Sequence, residues 1–204
     1  MTLYSSELKT VLRRYIDSSG DQGRDRLREL LKNESVDTRY ELLMNVRHTG
    51  GLYQFPFMPL ERSTWTGINS AAIANDGETV RYMLDNFSAY QKYNVVKIQD
   101  SNKYTALHYA TDRGHTSIIN YLLSDLSQQQ KYELLKILDQ DGDTALHLAA
   151  INEEVEAAQA IISSVSSLQL NQLLNIKNKK GQTVTDIRPE LHDELCVLIS
   201  QGEI

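Results

Sequence analysis

Five histidines in a chain of 204 residues are the first side chains to test for chemistry. His108 and His147 stand 39 residues apart, each three residues after a threonine, Thr105 or Thr144. Imidazoles at a fixed interval suggest acid–base or zinc chemistry, but zinc needs three or four converging ligands. No such ligand recurs with them at that interval. A helix start accounts for the pairs instead: the threonine hydroxyl accepts from an orphan amide while the imidazole reaches back to the turn. Thr183 and Asp186 keep the spacing and replace the ring with a carboxylate, which also suits a helix N-terminus. Thr105, His108, Thr144, His147, Thr183 and Asp186 are therefore expected to cap helices. His115 follows a glycine and reads as a loop contact, while His48 and His192 are isolated.

The other reactive types are equally unsupported as catalysts. Cys196 is the only cysteine and falls on an apolar stripe, so a packed thiol is expected. It cannot form an internal disulfide, and this fits a reducing, cytoplasmic setting. Asp139-Gln140-Asp141-Gly142-Asp143 resembles part of a calcium loop, yet the glutamate such a loop needs is missing and a helix start follows at Thr144. No Gly-rich phosphate loop, His-Glu-x-x-His or Gly-x-Ser-x-Gly occurs. No catalytic residue, metal or cofactor is expected. With 27 acidic and 21 basic residues the net charge is −6, so no chain-wide basic footprint invites nucleic acid. No apolar run of about 20 residues spans a membrane, and the first residues do not read as a secretory signal.

The elements that position these residues come from a repeat. Hydrophobic residues are 41% of the chain and prolines number three, a composition for short helices around a core. Tyr93-Asn94-Val95-Val96-Lys97-Ile98-Gln99-Asp100 aligns without gaps with the eight residues from Tyr132 to Asp139 and with those from Asn171 to Asn178. Thr105-Ala106-Leu107-His108, Thr144-Ala145-Leu146-His147 and Thr183-Val184-Thr185-Asp186 follow at the same 39-residue step. A weaker earlier copy starts at Tyr40-Glu41-Leu42-Leu43, which implies about 14 inserted residues around Gly50 to Arg62. Leu107 with Ala110, and Ile119 with Leu122 and Leu123, form apolar stripes that stacked neighbours would bury.

These blocks resemble ankyrin repeats, through Asp100, Thr105-Ala106-Leu107-His108, Gly114-His115, Ile118-Ile119 and Leu122-Leu123, then Asp139, Gly142, Thr144-Ala145-Leu146-His147 and Ile161-Ile162. The copies depart from the family pattern at Ala106, which replaces a proline, at Lys103, which replaces a turn glycine, and at Glu153, opposite Gly114. The six extra residues fall at Ser127 to Tyr132. The resemblance implies an all-α ankyrin-repeat solenoid of stacked helix pairs with short connecting hairpin loops. A divergent helical cap with the insertion would occupy residues 1–62. Repeats would follow at about 63–99, 100–138, 139–177 and 178–200.

It also implies a non-enzymatic module, an adaptor, scaffold or inhibitor, that binds another protein and acts as a monomer. The concave loop tips and inner-helix ends would then make the contacts: Ser101, Asn102, Tyr104, Asp112, Arg113, Gln140, Asp141, Asp143, Ile151, Asn152, Lys179, Lys180 and Gln182. The insertion offers a second contact through Tyr53, Phe55, Phe57 and the only tryptophan, Trp65. Three other readings stay open: an enzyme with a pocket near His48, Glu61 and Trp65, a structural role within a larger homo-oligomer with the aromatic insertion as the contact, and a bacterial effector using the same array in a host cytosol.

Overall fold

The structure is a computed structural model that describes residues 21–45, 48–49, 64–65 and 67–190. Tyr53, Phe55, Phe57, Glu61, Cys196 and His192, with the first 20 residues of the expected cap, lie outside the described residues. By compactness the chain divides into two units at Ala106/Leu107.

In the first unit, α1 (Asp21–Asn33), α2 (Val36–Asn45), α3 (Gly67–Ile73), α4 (Gly77–Leu84) and α5 (Ala89–Val96) are joined by short turns. A two-residue antiparallel ladder pairs His48–Thr49 with Thr64–Trp65, His48 opposite Trp65. Leu27 and Leu31 lie one helical turn apart on α1 and are fully buried, and α1 packs on α4. Arg28, on the same helix, donates to Asp76 Oδ1 at 2.5 Å and Thr79 Oγ1 at 2.9 Å, and its guanidinium lies 2.7 Å from Glu78. Asp76 is the N-cap of α4 and accepts from the Thr79 amide, so one arginine fastens α1 to the start of α4. Burial works against the Asp76 charge. The Thr79 hydroxyl and amide, with Arg28, outweigh it and hold the carboxyl below its ordinary value.

Arg39 on α2 does the converse at the other end of α4. It is buried and donates to the carbonyls of Tyr82 at 2.6 Å and Asp85 at 2.9 Å, where a helix C-terminus favours a cation. Its guanidinium sits 5.7 Å from the centre of the Phe87 ring, which Tyr40 meets edge-on at 5.8 Å.

The second unit holds α6 (Ala106–Asp112) from its second residue on, then α7 (Thr116–Leu123), α8 (Gln128–Leu135), α9 (Ala145–Ile151), α10 (Val155–Ile162), α11 (Ser167–Leu174) and α12 (Val184–Ile187). Packing of α7 on α10, α9 on α10 and α9 on α12 buries Ile119, Leu122, Leu146, Ala149, Ala158, Ile161 and Val184.

The sequence reading of helix pairs omits one element. The residues it leaves as connection after each pair form a third helix: α5, α8 and α11 each have eight residues and begin at Ala89, Gln128 and Ser167, steps of 39. Each is opened by a reciprocal box, Ser88 with Gln91, Ser127 with Gln130 and Ser166 with Gln169. The Ser35 hydroxyl accepts from the Thr38 amide at the start of α2, which gives the early copy at Tyr40 the same origin. Lys97 lies over the Tyr93 ring and Lys136 over the Tyr132 ring, both at 4.8 Å; the third copy has Asn175 bonded to Asn171 instead.

Left-handed backbone recurs with the same interval. Asn75, Gly114 and Glu153 have φ of 54°, 65° and 60°, and Lys103, Gly142 and Gly181 have 61°, 80° and 78°. Glu153 and Lys103 thus occupy a conformation that costs a side-chain-bearing residue roughly 1 kcal/mol. A Cβ on Gly142 would also meet the Lys179 backbone nitrogen at 2.9 Å. In urea unfolding, Gly142→Ala is expected to lower stability by about 2 kcal/mol, through strain plus the clash, and Glu153→Gly to raise it by about 1 kcal/mol.

Candidate functional site

The hairpin tips that precede α6, α9 and α12 share one construction. Asp100 Oδ1 accepts from the amides of Asn102 and Tyr104, both at 2.9 Å. Asp139 Oδ1 accepts from those of Asp141 and Asp143 at 2.8 Å, and Asn178 Oδ1 from those of Lys180 and Gln182 at 3.0 and 3.1 Å. Each tip is closed by a backbone bond at 2.9 Å, Asp100 to Tyr104, Asp139 to Asp143 and Asn178 to Gln182. A side chain short enough to fold over its own turn is what these amides require.

The expected caps are found where the sequence places them in α9 and α12. Thr144 accepts from the His147 amide at 3.3 Å while the Thr144 amide donates to His147 Nδ1 at 3.3 Å. Thr183 and Asp186 form the same reciprocal box. Because Nδ1 accepts, the remaining ring proton of the neutral imidazole sits on Nε2, which donates to the Gln182 carbonyl at 3.3 Å. His108 Nε2 likewise meets the Ile137 carbonyl at 3.1 Å. Thr105 and His108 are both buried. Burial pushes the His108 ring down to about 4 and also lowers His147, against the pull of the Asp143 charge. The imidazoles are thus neutral bridges between one helix start and the carbonyls of the following copy. Among the described residues no group of three or more histidine, cysteine, aspartate or glutamate side chains could hold a metal ion.

The expected contact residues divide by unit. In the first, Ser101 is exposed and Asn102 and Tyr104 are half-buried at the tip. In the second, Asn152 donates to Asp112 Oδ1 at 2.9 Å, which places Ile151, Asn152, Asp112 and Arg113 side by side. Ile151 is 46% exposed and Arg113 is exposed. Gln140, Asp141, Lys179 and Lys180 are exposed and Gln182 is half-buried. Lys179 joins two tips, its amide donating to the Asp141 carbonyl at 3.0 Å and its Nζ to the Gln140 carbonyl.

Asp143 is a correction. It is buried and its Oδ1 accepts from Asn178 Nδ2 at 2.8 Å, so it knits two tips together and is not open to a partner. The signal was the exchange of aspartate at 100 and 139 for asparagine at 178, which supplies the donor that Asp143 needs. Glu153 was missed as a surface residue. It is exposed beside Asn152, at a left-handed position that aligns with Gly114.

A profile of ankyrin repeats in three copies matches residues 42–132, and one of a single ankyrin repeat matches residues 141–172. Together they take in more than half of the chain. The protein belongs to the ankyrin-repeat family. The match begins at Leu42, inside α2 and within the weaker early copy that starts at Tyr40. No curated protein matches the chain. Ankyrin repeats are protein-interaction modules, and among the described residues no helix is long and apolar enough to cross a membrane.

The Asn178–Asp143 bond gives a direct check of the ankyrin tips. Asn178→Asp would keep the turn acceptor but set two carboxylates together in a buried joint. Stability at pH 7 should drop by about 1–3 kcal/mol. The deficit should shrink as pH falls and one carboxyl takes up a proton. Denaturant unfolding at pH 7 and pH 4 reads both.

Proposed function

We propose that this ankyrin-repeat protein is a non-enzymatic binding module, an adaptor, scaffold or inhibitor acting as a monomer in a cytoplasm. Its second unit engages another protein through Asp112, Arg113, Ile151 and Asn152 on the helix ends and Gln140, Asp141, Lys179 and Lys180 on the tips. The observation that supports this most is the state of the backbone under those side chains. Both tips are closed internally and bonded to each other through Lys179, and the helix ends are tied by Asn152 and Asp112. A surface already ordered before binding loses little conformational entropy when a partner arrives, so contact energy appears as affinity. Ile151 is a large apolar side chain exposed among polar neighbours, and Arg113 is of a type enriched at interface anchors. In the first unit, Ser101, Asn102 and Tyr104 offer a further tip of the same build.

Affinity capture with the intact chain, beside a variant carrying Arg113→Ala, Ile151→Ala and Lys180→Ala, tests the assignment. All three are exposed, so folding should be retained within about 0.5 kcal/mol per site. Binding of the captured partner is expected to weaken by a factor of roughly 10 to 1000. Undiminished binding by the triple variant would remove this surface.

A further inference from the structure

We propose that His147 is an acid-sensitive latch: protonation of its ring frees the 178–182 hairpin and α12 from α9 while the helices ahead of them stay folded. The ring is fully buried and has both nitrogens in use. Nδ1 accepts from the Thr144 amide and lies 2.8 Å from the Thr144 hydroxyl, while Nε2 faces the Gln182 carbonyl. A proton on Nδ1 turns an acceptor into a donor that points at an N–H, and that amide loses its partner in a place water does not reach. The hydroxyl can rotate to accept from the new N–H, but the backbone amide cannot. The imidazolium must therefore either remain as a buried cation or reach solvent by opening the joint.

The surrounding charges do not remove this penalty. Asp143 and Asp139, on the hairpin ahead of α9, favour the cation, and burial outweighs both. On α9 itself no other residue titrates. Packed against it, α10 carries Glu156, which is exposed, and α12 carries Asp186, which is exposed and committed to Thr183. The 178–182 hairpin adds Lys179, whose Nζ is bonded to the Gln140 carbonyl, and Lys180, which is exposed.

What makes the response local is the size of the piece released. Helix α12 has four residues, far too few to hold together by its own hydrogen bonds, and its main packing partner among the described residues is α9; the other ties of the released piece are those of the hairpin, Asn178 to Asp143 and Lys179 to Asp141 and Gln140. His108 is built into an equivalent joint at Ile137, but opening there would also part α7 from α10. The weaker joint opens first. The sign is the same for both rings. Each has a folded pKa below the ordinary 6.5, so the open form binds more protons. Closure is at full strength above pH 6.5 and weakens as pH falls from there to the folded value, about 4 for His108.

Hydrogen exchange on the whole chain between pH 7.5 and 5, corrected for intrinsic rates, tests the latch at the amides of Asn178, Lys179, Gly181 and Gln182. Their protection is expected to fall about tenfold per pH unit below 6.5 until the folded pKa of His147 is reached, while amides of α7 and α10 keep theirs. His147→Gln is the matched control, because glutamine already serves at this box position behind Ser88, Ser127 and Ser166. Its protection should not change with pH. An NMR titration of the wild-type ring gives a second readout that needs no variant. A His147 pKa at or above 6.5, protection that is flat in the wild type, or an undiminished acid loss in His147→Gln would each overturn the proposal.

Discussion

A helix of seven or eight residues leaves about half of its backbone amides without an intrahelical acceptor. Nearly every helix from α3 onward is of this length, so the fold depends on what satisfies those amides. Three kinds of reciprocal box do so, beside the single Asp76 cap of α4. Serine with glutamine opens the third helix of each copy, threonine with histidine opens α9, and threonine with aspartate opens α12. The choice is not interchangeable in its consequences. Glutamine closes its box at the surface, where Gln169 also donates from Nε2 to the Gln128 carbonyl at 3.4 Å. Histidine closes the box with one nitrogen and still has a second to give to the next copy, so a local cap becomes a joint between copies.

The hairpins solve the same problem with a carboxylate or carboxamide folded over its own turn. Here the identity of the atom matters once the neighbour is included. Asp100 and Asp139 only accept; Asn178 accepts with its oxygen and donates with its nitrogen to Asp143. A substitution that looks neutral within one copy thereby fixes the distance between two. Lys179 adds the second link, and Gly142 has no Cβ because the Lys179 backbone passes too close. The same bonds keep the exposed side chains of these tips on an ordered base, which is the physical content of a rigid binding surface.

The first unit is held differently. Arg28 and Arg39 grip the two ends of α4, one through its capping aspartate and the other through its terminal carbonyls. Guanidinium groups suit this because several fixed donors can serve acceptors on one helix from another. Neither arginine belongs to the repeating pattern, and their partners lie 43 to 51 residues away in the chain.

Periodicity was legible because identical local problems recur every 39 residues and select the same side chains. From it followed the copies, the caps at Thr144–His147 and Thr183–Asp186 and the apolar stripes. The third helix was also present in the residues, as Ser-x-x-Gln at 88, 127 and 166, but the segments from there on are polar at many positions and show little apolar contrast. Exposure was the part that position within a repeat could not supply. Asp143 and Asp141 both sit at a tip, and only the approach of Asn178 buries one and not the other. The chain alone set which backbone groups need partners, since that depends on helix length and turn type. Tertiary structure decided which side chains remain for another molecule, since that depends on what the adjoining copy places against them.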